Sequence, residues 1–363
     1  EIGVRLVGSE MCIRDRLGVI MSLFLSLGAG TILSGVGVAD ALMQPAKTYL
    51  QIVGGFCILN ALIPICSSYL RAFGFSKEPL YASIIGNVIN FCLNAFFLFV
   101  LHKGVAGVAT ATVISRIINL VIVVLLGAVL VKAKQHPERE SNRAVMGQII
   151  RIGLPSACET AIYNVSMTLV IRFLNQMDAQ GLNVTARSYT MQITNFSYCV
   201  GAALAQANAI MTGWHIGAKE YDACDRGTKK AAVIGVIVAV ILETVFTLCS
   251  GWIMQLFSKD PQMVSLVGKL LAIDIVLEIG RVTNLVYGQA LKTSGDAVFP
   301  VVMGACFMIL CSVGGTYLFG IRLGLLAVGA YIGMTGDECV RAVGMYLRWK
   351  SGKWKEKGLV KSR

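Results

Sequence analysis

The chain of 363 residues is dominated by apolar side chains and is poor in charge. Hydrophobic residues make up 56% of it and charged residues only 14%, whereas about a quarter of the residues in an average soluble domain are charged. A single globular core stops growing beyond about 250 to 300 residues, so a soluble protein of this length would need several domains joined by polar linkers. Because the sequence contains no such linkers, its composition predicts a membrane protein.

The net charge of +12 does not indicate a nucleic-acid partner. The Lys and Arg residues lie in short segments between apolar runs, as in the loops of a multi-pass membrane protein. The eleven cysteines lie mostly inside apolar stretches and show neither a CxxC pair nor a suitable spacing to histidine. We therefore expect no nucleic acid, no disulfide framework and no metal site other than one for a coupling sodium ion.

Residues 1–16 differ from the rest of the chain. The sequence begins with Glu1 rather than Met, and the segment Val7–Arg16 has no counterpart later. It resembles translated sequencing-adapter read-through. We therefore expect residues 1–16 to be a non-native, irregular leader and exclude them from fold reasoning.

Ten segments are long and apolar enough to span a bilayer as helices, which takes about 20 residues each. They are Leu17–Val38, Thr48–Leu70, Leu80–Leu101, Gly104–Val131, Ile149–Leu174, Tyr189–Trp214, Ala231–Phe257, Val264–Leu291, Ala297–Gly320 and Gly324–Leu347. The predicted class is an all-α polytopic membrane protein with about ten transmembrane helices in this chain. Nineteen Lys and Arg residues lie in one set of alternate connections and in the tail, against five in the other connections. The C-terminus is therefore predicted to be cytoplasmic.

The two halves of the chain are related by a nearly constant shift of about 220 in residue number, which predicts an internal repeat. The matched pairs are Asp40 with Asp260, Met43 with Met263, Gly74 with Gly295, Pro79 with Pro300, and Gly104 with Gly324. The shift predicts two parallel six-helix repeats, with about seventy residues of the first repeat missing from the front and twelve helices when intact. The predicted parts are a partial first lobe (17–133), a cytoplasmic loop (134–148), a second lobe (149–347) and a basic tail (348–363).

Over residues 17 to 357 the chain resembles a bacterial branch of the multidrug and toxic compound extrusion transporters of the MOP flippase superfamily. The segments that carry the resemblance are Ser67–Pro79, Ile85–Asn90, Gly104–Thr112, Ile152–Pro155, Gly213–Lys219, Leu277–Arg281, Leu291–Asp296, Asp337–Arg341 and Arg348–Trp349.

The resemblance implies a transporter rather than an enzyme, in a bacterial cytoplasmic membrane and in contact with its lipid bilayer. It implies secondary active efflux of cationic or amphipathic drugs and metabolites by alternating access of two lobes. Sodium or protons would be the coupling ion, with no other cofactor, and we expect a monomer.

Acidic side chains inside the predicted helices are the first candidates for an ion site, because an ionisable group at membrane depth costs about 2.5 to 3.5 kcal/mol on insertion scales. Glu159 lies one turn after Pro155, and Tyr163 follows it at helical spacing. The resemblance implies a coupling-ion role for an acid on this helix.

Asp274, Glu278 and Arg281 are spaced i, i+4 and i+7 and therefore share one helix face. Arg281 could neutralise one carboxylate and leave the other for a cation. The three residues could equally be an interhelical clasp.

Other polar residues allow two readings. Asp337, Glu338 and Arg341 in the last helix favour a structural role, with ion or substrate binding as the alternative. Asn195 and Gln206 share a face of the sixth helix, as a cavity wall or as contacts between helices. We interpret the isolated charges Glu243, Arg116 and Arg172 as structural.

Two rival functions stay open at this point. A lipid or lipid-linked precursor flippase of the same superfamily would need a larger, basic cavity, whereas the charges expected to face the cavity are mainly acidic. A membrane-embedded enzyme would need a catalytic motif, and neither HExxH nor GxSxG occurs.

Overall fold

The structure is a computed structural model that describes residues 18–36, 40–131, 142–177 and 181–355. These residues are almost entirely helical and include no β-strand. They fall into two compact units, the first ending at Ile150 and the second beginning at Arg151. The predicted leader, residues 1–16, lies outside the described residues.

The first unit is built around one long apolar helix. Its helices are α1 (Gly18–Leu27), α2 (Ala29–Val36), α3 (Asp40–Gly55), α4 (Ile58–Ala72), α5 (Lys77–Ala95) and α6 (Gly104–Leu130). A π-helical turn, Phe96–Val100, extends α5. The α6 helix packs against α3, α4 and α5, and its buried positions include Gly107, Ala109 and Ala111. Such small residues let neighbouring helices approach closely in a membrane, where apolar burial alone gives little driving force.

The second unit is built around a central helix, α11. Its helices are α7 (Asn142–Met177), α8 (Leu182–Gly217), α9 (Tyr221–Leu248), α10 (Ser250–Met254), α11 (Pro261–Thr293), α12 (Val298–Phe307) and α13 (Leu326–Lys350). The first residues of α7, up to Ile150, belong to the first unit. Two π-helical segments, Met308–Val313 and Thr316–Arg322, follow α12. The α11 helix packs against α8, α9 and α13, and Leu270, Leu271 and Leu277 along it are fully buried.

Glycines bring α11, α13 and the segment after α12 into backbone contact. A Cβ atom on Gly280 of α11 would lie 2.9 Å from backbone atoms of Glu338 and Cys339 in α13. A Cβ atom on Gly333 of α13 would meet backbone atoms of Gly315 at the same distance. Any larger side chain at these positions would push the helices apart, so the glycines set the interhelical distance.

Five helical segments of the described chain are long and apolar enough to cross a membrane, judged by length and composition. They are Met43–Ala72, Lys77–Val100, Gly104–Leu130, Tyr221–Leu248 and Val298–Arg322. Each of the ten predicted spans is mainly helical over its described residues, with breaks at Gly28, at Phe56 and Cys57, and at Cys249. The described residues thus confirm the all-α prediction. Large apolar side chains on the outside, such as Phe91 and Trp252, are about three-quarters exposed, as expected where lipid covers the protein surface.

The predicted repeat appears as matching turn geometry in the two units. Gly74 and Gly295, which the repeat pairs with each other, both have a left-handed backbone, with φ of 90° and 93°. Each follows a helix end at which an amide bonds back five residues: Phe75 N to Leu70 O at 3.0 Å, and Asp296 N to Leu291 O at 2.9 Å. This is the Schellman arrangement that favours glycine at a helix C-terminus.

The repeat continues beyond this turn. The π-helical turn Phe96–Val100 and the π-helical segment Thr316–Arg322 begin at positions that the same shift relates. A polar contact between helices also recurs: Asn90 donates to Ser115 at 3.1 Å, and Ser312 donates to Asp337 at 3.0 Å. Ser312 lies 222 positions after Asn90, and Asp337 lies 222 positions after Ser115, so the two contacts correspond in the repeat. The two units therefore share local geometry as well as sequence.

Two predicted boundaries differ from the structure. The loop predicted at 134–148 overlaps α7, which begins at Asn142, and residues 132–141 lie outside the described part. The basic tail predicted from Arg348 is helical as far as Lys350. Hydropathy locates only the apolar part of a helix, and a polar extension of the same helix gives no such signal.

Candidate functional site

A cavity of about 430 Å³ lies inside the second unit, bounded by α7, α8, α11, α13 and the helical segments after Ala297. Its wall carries eight charged side chains in a unit that is otherwise mostly apolar. The acidic ones are Glu159, Asp274, Asp337 and Glu338, and the basic ones are Arg187, Arg281, Lys292 and Arg341. The prediction that cavity charges are mainly acidic is therefore wrong, since the two signs are equal in number.

Glu159 joins α7 to the end of α11 across the cavity. Its Oε2 atom lies 2.6 Å from Nζ of Lys292, and both side chains are about one-fifth exposed. A Cβ atom on Gly304 would come within 3.4 Å of Oε1 of Glu159, so this glycine leaves room for the carboxylate. Glu159 therefore enters the cavity as a neutralised pair that a competing cation could open.

Only part of the predicted charged group on α11 lines the cavity. The group consists of Asp274, Glu278 and Arg281. Arg281 Nη1 donates to Oε2 of Glu278 at 2.7 Å, and Glu278 is fully buried. Asp274 and Arg281 line the cavity, whereas Glu278 lies behind its wall. Oδ2 of Asp274 and Oε1 of Glu278 have no hydrogen-bond partner among the described residues. Asp274 is thus the acid of this group that faces the cavity without an ion pair of its own, although Arg281 lies near enough to interact with its charge.

The last helix contributes a tight ionic cluster to the same cavity. Arg341 donates from Nε and Nη2 to the two carboxylate oxygens of Asp337, both at 2.9 Å, and Nη2 also lies 2.9 Å from Oε1 of Glu338. Ser312 donates to Asp337 at 3.0 Å, and Asn284 donates to Glu338 at 3.0 Å. These residues hold α11, α13 and the segment after α12 together, and they also line the cavity.

Of the predicted polar wall on α8, only Asn195 faces the cavity. Tyr163 on α7 also lines it. Gln206 does not: its side chain is exposed on another part of the surface. The two α8 residues share a helix face, but eleven residues separate them by about 16 Å along the axis. Gln206 therefore lies outside this cavity, and its binding role stays a prediction.

Sequence reasoning missed several polar side chains of the wall, among them Lys292, Asn284 and Arg187. Lys292 and Asn284 continue the face of Arg281 along α11, and extending the helical spacing beyond Arg281 would have found them. Arg187 was assigned to a connection by its position, yet it lies in α8, is 6% exposed, and donates to the sulfur of Met167 at 3.6 Å. Charge counting in loops cannot distinguish an inward-facing arginine near a helix end from a loop arginine.

The described residues contain no group of three His, Cys, Asp or Glu side chains arranged to hold a metal ion. A sodium ion would therefore need hydroxyl, amide or backbone oxygens beside one or two carboxylates.

The MatE family model matches residues 16–96 and 155–318, about two-thirds of the chain. The chain belongs to the MatE family. It is 33% identical over 350 residues to "Uncharacterized transporter YisQ" of Bacillus subtilis, covering 95% of this chain and 76% of that protein. It is 22% identical over 362 residues to "Probable multidrug resistance protein NorM" of Thermotoga maritima, covering 93% and 76% of the two chains.

Solved MATE structures share the fold of this MatE chain. A MATE transporter in the straight conformation matches with a TM-score of 0.82 at 18% identity, covering 98% of this chain and 85% of that one. An outward-facing MATE transporter of the MOP superfamily matches with a TM-score of 0.83 at 17% identity, with the same coverage. The protein is a multi-pass membrane transporter of the efflux type and not an enzyme.

Proposed function

We propose that this MatE protein exports cationic or amphipathic small molecules in exchange for sodium or protons. The observation that supports the proposal is a cavity wall on which three of the four bases form ion pairs with carboxylates, whereas one acid, Asp274, forms none. Export would run across the bacterial cytoplasmic membrane, with the C-terminus in the cytoplasm, the protein acting as a monomer, and alternating access of the two lobes.

The cavity offers both apolar and charged contacts to such a cargo. Five methionines line it, namely Met167, Met191, Met308, Met334 and Met345. Methionine side chains are flexible and polarisable, so they can adapt to apolar groups of different shape. A cationic group could compete with Lys292 for Glu159, at the cost of one charge-assisted hydrogen bond.

The coupling ion would act through Asp274. The side chain is 2% exposed and faces the cavity, so its negative charge is expensive unless a proton or a cation compensates it. Binding of the coupling ion at Asp274 and of a cationic cargo at Glu159 would both reduce the negative charge of one small cavity. Each would therefore weaken binding of the other, as an exchanger requires.

Efflux of a fluorescent cationic dye from cells tests the roles of Glu159 and Asp274. Loss of one charge-assisted contact, worth about 1.5 to 3 kcal/mol, corresponds to about a tenfold to hundredfold loss of affinity. We therefore expect Glu159→Gln to raise the dye concentration for half-maximal efflux by at least about tenfold and Asp274→Asn to abolish efflux. The control Asp222→Asn changes an exposed acid at the start of α9 and should leave efflux unchanged. Normal efflux in both cavity variants, at normal membrane levels, would refute the proposal.

The four basic side chains of the wall support a second candidate, a flippase for anionic lipids or lipid-linked precursors. Three of them, Arg281, Lys292 and Arg341, are already paired with carboxylates, which leaves Arg187 as the base for an anionic headgroup. Translocation of a fluorescent anionic lipid in proteoliposomes, lost in Arg187→Gln and unaffected in Glu159→Gln, would favour the flippase. Dye efflux without lipid translocation would exclude it.

A further inference from the structure

The second unit contains a buried acid that the cavity does not use. Glu243 lies in α9, is fully buried, and is not part of the cavity wall. Neither of its carboxylate oxygens has a hydrogen-bond partner among the described residues. A bare carboxylate at this depth is far more costly than a neutral acid, so the absence of any partner needs an explanation.

The groups that face Glu243 come from the helices packed against α9. From α11 they are Asp274, Glu278 and Arg281, and from α8 the facing group is the Ser197 hydroxyl. The short α10 helix, with sequence SGWIM, offers no titratable side chain. The Ser197 hydroxyl is fully buried and faces Glu243 but makes no hydrogen bond of ordinary geometry among the described residues.

Close packing of three helices separates Glu243 from the N-terminal end of α9. A Cβ atom on Gly201 of α8 or on Gly235 of α9 would lie within 2.8 Å of Val282 of α11. The three helices are thus in contact two turns before Glu243 on α9. Ala239, which lies between Gly235 and Glu243, is 2% exposed. Since Asp274 lies two turns before Val282 on α11, it is at the level of Glu243 and lines the cavity. The other neighbouring acid, Glu278, is paired with Arg281 and does not line the cavity. Exchange of a proton between Glu243 and the cavity would therefore run through Asp274.

The acids on and behind the cavity wall outnumber the bases, so the excess negative charge needs to be neutralised. The acids are Glu159, Glu243, Asp274, Glu278, Asp337 and Glu338, whereas the bases are the four on the cavity wall, so this set of residues, when fully ionised, carries 4 minus 6, or −2. Lys292, Arg281 and Arg341 are engaged by four of the acids. The two that form no ion pair among the described residues are Glu243 and Asp274, for which Arg281 is the nearby positive charge.

We propose that Glu243 is a second protonation site, which stores a proton between α8, α9 and α11 and exchanges it with Asp274. In the transfer the O–H bond of the Glu243 acid breaks and a carboxylate oxygen of Asp274 takes the proton. Glu243 is left as the carboxylate, Asp274 becomes the acid, and the total charge does not change. The proton, rather than a metal ion, is the ligand, because the described carboxylates do not converge as a metal-binding group.

Infrared difference spectroscopy tests the stored proton directly. The full-length protein would be reconstituted in lipid and compared between neutral and alkaline pH, with no substrate present. We expect a carbonyl band of a protonated carboxyl group that disappears on alkalisation in the wild type, is absent in Glu243→Gln, and persists in the control Glu220→Gln. Glu220 is a suitable control because its side chain is 59% exposed and pairs with His215. A band that is unchanged in Glu243→Gln would overturn the proposal.

A second variant covers the possibility that Glu243→Gln does not fold. Glu243→Asp keeps the carboxyl group, so a folded protein should show the band at a shifted frequency, and a band at the wild-type frequency would overturn the assignment. The role of the stored proton in transport rests on the proposed antiport. Efflux in Glu243→Gln should therefore lose part of its pH dependence while substrate binding is unchanged. Because the infrared measurement needs no transport, failure of the antiport and failure of the proton site are distinguishable.

Discussion

At the scale of single residues, Arg341 is the side chain on which the ionic cluster of the cavity depends most. It is 4% exposed and contacts both Asp337 and Glu338 at 2.9 Å. Removal of one partner from a buried ion pair leaves an uncompensated charge and costs about 3 to 5 kcal/mol. We therefore expect Arg341→Ala to lower the melting temperature of the purified protein strongly, and Arg341→Lys to lower it less, since only the paired geometry is lost.

The control for this prediction is Arg322→Ala. Arg322 donates to the hydroxyl of Tyr317 at an exposed position, where a substitution changes stability by about 0.5 kcal/mol or less. A melting temperature of Arg341→Ala equal to that of the wild type would show that the cluster does not stabilise the unit.

The residue scale also shows where the sequence was informative. Asp274, Arg281 and Glu159 were predicted because a charge inside an apolar run stands out at once. The contact of Glu159 with Lys292 could not be predicted, since it joins residues 133 positions apart on different helices. Glu243 was interpreted as structural because it is isolated in sequence, although its acidic neighbours come from α11.

At the scale of helices, Gly280 fixes the contact between α11 and α13. A methyl group there would lie 2.9 Å from the α13 backbone, which cannot move as a side chain can. We expect Gly280→Ala to destabilise the protein by about 1 to 3 kcal/mol, the usual cost of overpacking, and to disturb the nearby cluster of Glu338. Thermal unfolding in detergent, followed by intrinsic fluorescence, measures this effect.

Gly336 in α13 is the matched control, because a Cβ atom there would have no neighbour within 4 Å. Gly336→Ala should be neutral or stabilising by up to about 1 kcal/mol, since alanine favours the helix. If both substitutions had the same effect, close packing at Gly280 would not be the cause.

At the scale of the whole molecule, the predicted spans, the repeat and the family were correct because each depends on long stretches of sequence. Apolar length predicts a membrane helix whatever its neighbours are, and the left-handed glycines Gly74 and Gly295 mark the same turn in both units. The balance of the cavity charges was predicted wrongly, because it depends on the inward-facing Arg187 and Lys292 and on Glu278, which lies behind the wall. Helical spacing alone does not give the rotation of a helix that is only weakly amphipathic.

The central claim, cation-coupled export through the cavity of the second unit, is tested most directly in proteoliposomes that contain the full-length protein. Movement of a cationic dye would be followed under an imposed sodium gradient, an imposed proton gradient, or neither. We predict transport against the dye gradient with one of the two ions, its loss in Asp274→Asn, and its retention in the control Asp222→Asn. Dye transport that proceeds equally without any ion gradient, or that Asp274→Asn leaves unchanged, would contradict the account.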